Sequence, residues 1–226
     1  KVGRRKAVLS GALYLLPIIA GTAVATGWAH AWYTNRTVMQ AVNAKIAAYN
    51  RDVEGVSPVN ITSSDIVAAV EPLNNLRSAI DDVIPGTDRW YPLGREQESK
   101  ISAGLQEAYQ RGLNGVLLPR LLVYVQEGMN KQGVAAGDLY SSLKLYLMLG
   151  GLGKLDVNFV REFLAADFAE RLPGTGREKQ RAELLSHVEA LVSQPSMRNL
   201  TLDQALIDEA RAALREKPAS VRVYEI

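Results

Sequence analysis

The sequence predicts an all-α chain: one apolar helix that crosses a membrane, followed by a multi-helix domain on the far side. Three observations carry this prediction. Residues Ala7 to Ala29 contain no charged side chain and follow a basic knot of Lys1, Arg4, Arg5 and Lys6. Beyond them, apolar residues recur at spacings of three and four, punctuated by Gly, Pro and capping residues. Cysteine is absent. No disulfide framework, thiolate metal site or thiol nucleophile is therefore possible, and the domain must be held by an ordinary hydrophobic core, for which its length suffices.

The uncharged run extends to Tyr33, and at about 1.5 Å rise per residue it measures roughly 40 Å, enough to cross a hydrocarbon core of about 30 Å with some tilt. Basic residues concentrated at one end of a span stay cytoplasmic, whereas Arg36 and Lys45 beyond the other end are fewer and more dispersed. The expected organisation is a cytoplasmic flank (1–6), a lipid-embedded helix (7–33), a helical extension and linker (34–60) and a helical domain across the membrane (61–226). Trp28, Trp32 and Tyr33 fall near the exit, where amphipathic rings favour the interface. A rival reading is a secretory signal peptide with small-x-small sites at Ala23-Val24-Ala25 or Ala29-His30-Ala31, for which the apolar run is long. Gly21, Ala25 and Ala29 are four apart, a stripe of small residues open to close approach by another helix. Small residues are also common in such spans by chance.

The formal charge of +2 hides an asymmetry. Four of the 26 Lys and Arg precede the span, so 22 face all 24 Asp and Glu beyond it, leaving the domain at about −2. A mildly acidic domain argues against nucleic acid as a partner.

The elements follow in order. Val38, Val42, Ile46 and Tyr49 continue the first helix with one apolar face until Gly55 and Pro58. Thr62-Ser63-Ser64-Asp65 supplies caps for a second helix that buries Ile66, Val67, Val70, Leu73, Leu76 and Ile80, kinked or divided at Pro72. A turn-rich loop spans Pro85 to Gly94. From Glu96 to Lys131 a long helical pattern turns Ile101, Leu105, Ala108, Leu113, Val116 and Leu117 inward. Pro119 interrupts it, with Gly115 four residues earlier easing a bend. Asp138 opens a short apolar helix, Leu139 to Leu149, stopped by Gly150-Gly151. Leu143 and Leu147 share a face that enters the core, with Leu139 one turn away, while Ser142 and Lys144 are expected to be exposed. Asp156 caps a helix burying Phe159, Val160, Phe163 and Leu164, ended by Leu172-Pro173-Gly174. Two amphipathic helices follow, Arg177 to Val192 and Leu202 to Arg215, and Pro218 closes the second. Val221 to Tyr224 alternate and read as a short extended segment.

Chemistry-bearing motifs are sparse. His30 reads as an interfacial polar residue and His187, beside Ser186, as part of a solvated helix face. Ser-His-Asp sites assemble from distant positions, yet neither G-x-S-x-G nor H-E-x-x-H occurs. Asp81 and Asp82 are adjacent and so point about 100° apart on a helix, poorly placed to share a substrate. Gly150-Gly151-x-Gly153-Lys154 lacks the spacing of a phosphate loop and reads as a helix stop. Glu178-Lys179 and Glu209 to Arg215 read as solvated faces. No catalytic, cofactor or metal site is expected.

The stretch Leu117-Leu118-Pro119-Arg120-Leu121-Leu122, followed by Leu139-Tyr140-Ser141-Ser142-Leu143-Lys144-Leu145-Tyr146-Leu147-Met148-Leu149-Gly150, resembles the IcmF/TssM family of inner-membrane proteins of bacterial type VI secretion systems. Family members carry a segment "LLPRL" and then "LY-x-x-LK-x-YLMLG" in that order. Leu155-Asp156-x-x-Phe159-Val160-Arg161, the Leu172-Pro173-Gly174 turn, the helix around His187 and Val221-Arg222-Val223-Tyr224 also match. Trp90-Tyr91-Pro92-Leu93-Gly94-Arg95 departs from the family's usual "GLY-x-G". The resemblance implies the last membrane span and first periplasmic part of such a protein, with earlier spans and a nucleotide-binding-like domain before Lys1. It also implies a homo-oligomer in the bacterial inner membrane, partnered by the other inner-membrane subunit and, through residues beyond Ile226, by an outer-membrane lipoprotein. A type IVB secretion component of the same family fits the same residues. The function expected is structural: anchoring a trans-envelope channel. The alternatives are the helical periplasmic sensor of a signalling receptor, which needs a second span returning to the cytoplasm, and a membrane-tethered cell-wall hydrolase, whose motifs are missing.

Overall fold

The computed structural model describes residues 2–55, 61–83, 95–130, 134–194 and 200–216, with side chains from Ala20 onward apart from 34, 35, 63 and 95–98. The expected Pro85–Gly94 loop, Pro58, Pro218 and the extended segment 221–224 lie outside the described residues. Among the described residues every regular element is helical.

Helix α1 (Val2–Gly55) is unbroken, and at about 1.5 Å per residue it is roughly 80 Å long. It covers the whole expected span and extension and stops at Gly55 as expected. Among the described residues no helix is long and apolar enough to cross a membrane. The described side chains of α1 begin at Ala20, so the stretch 7–19 of the expected span falls outside them. The lower half of α1 is amphipathic as its spacing predicts. Val42 is buried, and Val38 and Ile46 join it in a small cluster with Ala79, Val83 and Leu105.

A 3₁₀ turn (Ser63–Ala69) leads into α2 (Val70–Val83). Thr62 is extended at the start, and its N–H donates to the Asp65 carboxylate at 2.7 Å, relieving one orphan donor of the helix end. The division expected at Pro72 falls two residues earlier. Pro72 then lies in the first turn of α2, where its missing N–H costs little.

Helix α3 (Arg95–Gly112) passes through a π turn (Leu113–Leu117) into α4 (Leu118–Met129). The wider turn accommodates Pro119, which has no N–H to donate and whose ring would press on the Gly115 carbonyl in a regular α-helix. Arg120, almost wholly buried, donates from Nη1 to the Val116 carbonyl at 2.7 Å. That bond is made to a carbonyl of the irregular turn. The expected interruption near Pro119 is thus a π turn, with a buried cation against it.

Helix α5 (Ala136–Leu149) starts before Asp138, which lies in its first turn instead of at the cap. Gly151 takes φ 79°, with Leu152 N–H donating to Leu147 O at 2.9 Å and Gly151 N–H to Met148 O at 3.1 Å. This is a Schellman ending, which requires the left-handed residue that Gly supplies. The helix contributes Leu145 and Leu149, both fully buried, and Leu143, Tyr146 and Met148 nearly so. It contacts α4 and also α8 (Gln204–Glu216). Leu139 and Leu143 are buried as expected, but Ser142 is buried too and Leu147 is only half-buried against the core. A helix covered on several sides has no single inward stripe.

Helix α6 (Val157–Arg171) is capped by Asp156, whose Oδ1 accepts from Phe159 N–H at 3.1 Å. Val160 and Leu164 are buried as expected, but Phe159 and Phe163 are only half-buried. Phe168 is the ring that enters the core, edge-on to Tyr124 at 5.4 Å between centroids. A short 3₁₀ turn precedes α7 (Glu178–Val192), which packs on α6 and α2. Tyr146 Oη ties three elements, accepting from Gln126 Nε2 at 2.7 Å and from Asp203 N–H at 3.0 Å ahead of α8.

Candidate functional site

Three places carry side chains that packing alone does not explain. The first is the upper part of α1. Gly21, Ala25 and Ala29 are exposed along it, and a Cβ at Gly21 would meet nothing within 4 Å. Val24, Trp28, Trp32 and Tyr33 on the same segment are 55–66% exposed, and Arg36 reaches back over the Trp32 ring at 5.4 Å. The structure places no described element against this surface. Below it, α1 is clamped to α2: Lys45 pairs with Asp82 at 2.6 Å and donates to Ser78 O at 3.0 Å, and Asn75 donates to Asp52 at 2.9 Å. Asp82 is thus a fastening point between α1 and α2.

The second place corrects the sequence expectation for His187. It lies at 0% exposure between α7, α2 and α3, not on a solvated face. Tyr109 Oη donates to Nδ1 at 2.7 Å, and Nε2–H donates to Asn74 Oδ1 at 3.0 Å. Burial, reinforced by the Arg77 guanidinium, lowers its pKa from 6.5 to about 4, against a smaller opposing pull from Glu183. Burial likewise pushes Tyr109 up to about 12. Neighbouring Ser186 is engaged by Arg77 across the α2–α7 seam. With both imidazole nitrogens committed and the serine held elsewhere, this constellation joins three helices. The signal was present in the sequence: Leu184, His187, Val188 and Leu191 follow the i, i+3, i+4, i+7 pattern of one buried face. Treating histidine as polar hid it.

The third place is a cleft of about 530 Å³ between α5 and α6, lined among others by Asp138, Ser141, Phe163, Asp167, Glu170 and Arg171. The Arg171 guanidinium sits over the Tyr124 ring at 3.7 Å from its centroid, donates to Tyr124 O at 3.0 Å, and faces Asp167 at 3.6 Å. Gly128 permits this approach, since a Cβ there would lie 2.8 Å from Arg171 Nη1. Burial, with Asp167 beside it, raises the Tyr124 pKa and keeps the phenol protonated. Neither Arg120 nor Arg171 has a role legible in the sequence: Arg120 enters only as part of the Leu117–Leu122 motif, and the Tyr124 ring and carbonyl that hold Arg171 lie far from it in sequence. Among the described residues no group of three or more His, Asp or Glu is arranged to hold a metal ion. The Gly150–Lys154 segment closes a helix C-terminus, so it lacks the N-terminal N–H cradle that phosphate binding uses.

The family model described as "IcmF-related: Intracellular multiplication and human macrophage-killing" matches residues 70–226, which includes the last two of these places. The chain belongs to the IcmF-related family. It is also 30% identical, over 226 residues, to the type VI secretion system component TssM1 of Pseudomonas aeruginosa strain PAO1. That similarity covers 98% of this chain and 19% of the relative, so the chain spans about a fifth of the relative's length. No solved structure matches it. Family membership accords with the resemblance seen in the Leu117–Leu122 and Leu139–Gly150 segments. Those segments supply the end of the π turn, the start of α4 and most of α5, and they contribute heavily to the core.

Proposed function

We propose that this chain is a structural inner-membrane subunit of a bacterial type VI secretion membrane complex. In this reading α1 carries the membrane span, with residues 1–6 cytoplasmic and the helical unit from residue 61 periplasmic. The observation that carries it is the continuity of α1: the helix bearing the uncharged stretch 7–29 is the same helix that α2 grips through Val42, Lys45 and Asp52. An anchor joined to its domain without a break transmits position and load across the bilayer. The exposed Trp28, Trp32 and Tyr33 lie where the span would leave the hydrocarbon, at the depth amphipathic rings favour. The Pseudomonas relative is a type VI secretion system component, which supports the assignment to type VI secretion. A structural role, not a catalytic one, accords with polar clusters whose groups are spent on holding helices together. Spacing adds self-association of the span, with Gly21, Ala25 and Ala29 as the close-approach stripe. The resemblance adds partners: the other inner-membrane subunit and, through residues beyond this chain, an outer-membrane lipoprotein.

Topology tests this reading. Because the chain has no Cys, single cysteines report cleanly. A membrane-impermeant thiol reagent applied to intact cells should label a cysteine at the exposed Gln180 and not one at Val2. Label at Val2 with Gln180 protected would reverse the orientation, and equal labelling of both would remove the span.

A further inference from the structure

Among the described residues, the exposed large hydrophobic side chains fall into two groups: Val24, Trp28, Trp32 and Tyr33 on α1, and Tyr140, Leu152 and Val157 at the α5–α6 corner. A membrane accounts for the first group and for none of the second. Tyr140, Lys144 and Leu147 succeed one another at i, i+4 and i+7 along one face of α5. The bond from Leu152 N–H to Leu147 O sets Leu152, 67% exposed, at the end of that row. Alongside, Phe159 lies 3.9 Å beneath the Lys144 ammonium and stacks on Phe163 at 5.9 Å between centroids. Phe163 also lines the 530 Å³ cleft, so the apolar row and the cleft form one surface.

The charge of the cleft defines what fits there. It holds Asp138, Asp167 and Glu170 against a single cation, Arg171. Arg171 is already committed to Tyr124 and Asp167. Asp138 and Glu170 are exposed and have no ion-pair partner among the described residues. An aromatic and aliphatic row with a charged pocket at its end is the anatomy of a docking face, in which apolar anchors supply affinity and the charge selects the partner.

We infer that this face docks a partner protein through an amphipathic helix. Its apolar side covers Tyr140, Leu147 and Leu152, and a Lys or Arg at its end enters the cleft beside Asp138 and Glu170. The inference stands apart from the membrane reading, since α5 and α6 would carry this surface on either side of a bilayer.

The test is photo-crosslinking in living host cells, using the full-length protein with a photoreactive phenylalanine analogue at position 140 or 152. Mass spectrometry should find adducts on a different polypeptide, within a helical segment that has Lys or Arg one or two turns from the crosslinked residue. Adduct yield should fall several-fold in the Asp138→Asn, Glu170→Gln double variant at unchanged abundance and melting temperature. It should return when Asp138→Lys is combined with a carboxylate in place of the partner's basic residue. Adducts on a second copy of this chain, adducts on lipid, no adduct, or a yield indifferent to Asp138 and Glu170 would each overturn the inference.

Discussion

Upper α1 and α5 are both rich in apolar residues, yet the fold treats them in opposite ways. Leu145 and Leu149 of α5 are fully enclosed, and even Ser142 is buried. Val24, Trp28, Trp32 and Tyr33 of α1 stand more than half exposed, with no described element against them. An apolar side chain left in water forfeits the free energy that burying it would return, roughly 1.5–3 kcal/mol for a large one. Helix α5 recovers that energy inside its own domain. Upper α1 recovers it from none of the described elements, which is the physical content of the proposal that it is a membrane stem.

Substitution should separate the two regions sharply. Leu145→Ala opens a cavity in the centre of the core and should cost about 2–5 kcal/mol, a large share of a typical domain stability of about 5–15 kcal/mol. Differential scanning calorimetry of the helical unit should show a marked drop in Tm. The same instrument should register almost nothing for Val24→Ala. A comparable drop for both would mean that upper α1 is packed after all and that the contrast fails.

Acid offers the next largest effect. His187 is neutral in the folded state with its pKa lowered to about 4, while in the unfolded chain it titrates near 6.5. The unfolded state therefore binds the proton first. The His187 contribution is full above about pH 6.5 and is lost as pH falls towards 4. At about 1.4 kcal/mol per pH unit the loss is at most about 3.5 kcal/mol. Melts of the wild-type protein and His187→Gln between pH 7 and pH 4 check this, and the variant should lose the His187-dependent part of the slope. Identical pH profiles would place the acid sensitivity elsewhere.

On the stem the expected effect is on association and not on folding. Gly21→Leu with Ala25→Leu blocks close helix approach while keeping the segment apolar. Crosslinked oligomer should fall at unchanged membrane level and unchanged Tm, and an unaltered oligomer yield would assign assembly to other surfaces. The smallest effect belongs to the clamp below. Lys45 and Asp82 are about one-third exposed, so Asp82→Asn should cost no more than about 1 kcal/mol. A larger loss by chemical denaturation would mean that the stem and the helical unit unfold together through this pair.

Periodicity and punctuation were enough to read the order of helices, because amphipathic faces and caps are local properties. Thr62, Asp156, Gly151 and the Pro119 interruption each act within a turn or two of themselves. Where expectation and structure part, the deciding partner is distant. Ser142 is buried because α5 is covered on more than one side. Phe168, instead of Phe159 or Phe163, fills the core because Tyr124 of α4 waits for it at 5.4 Å. The prediction of a solvated His187 failed because Tyr109 and Asn74, on two other helices, complete its hydrogen bonds and make burial tolerable.

The sequence by itself determined the all-helical class, the charge-poor stem with its basic flank, and the absence of thiol chemistry. These follow from composition and spacing, which need no knowledge of what a residue touches. The tertiary structure alone decided which polar groups became interior joints, which of two apolar helices found its cover within the chain, and that an aromatic row on α5 and α6 ends at an acidic cleft. Each of those outcomes depends on which helix packs beside which. Burial, pairing and exposed surface are properties of neighbours, and helical neighbours far apart in sequence are set only when the core closes.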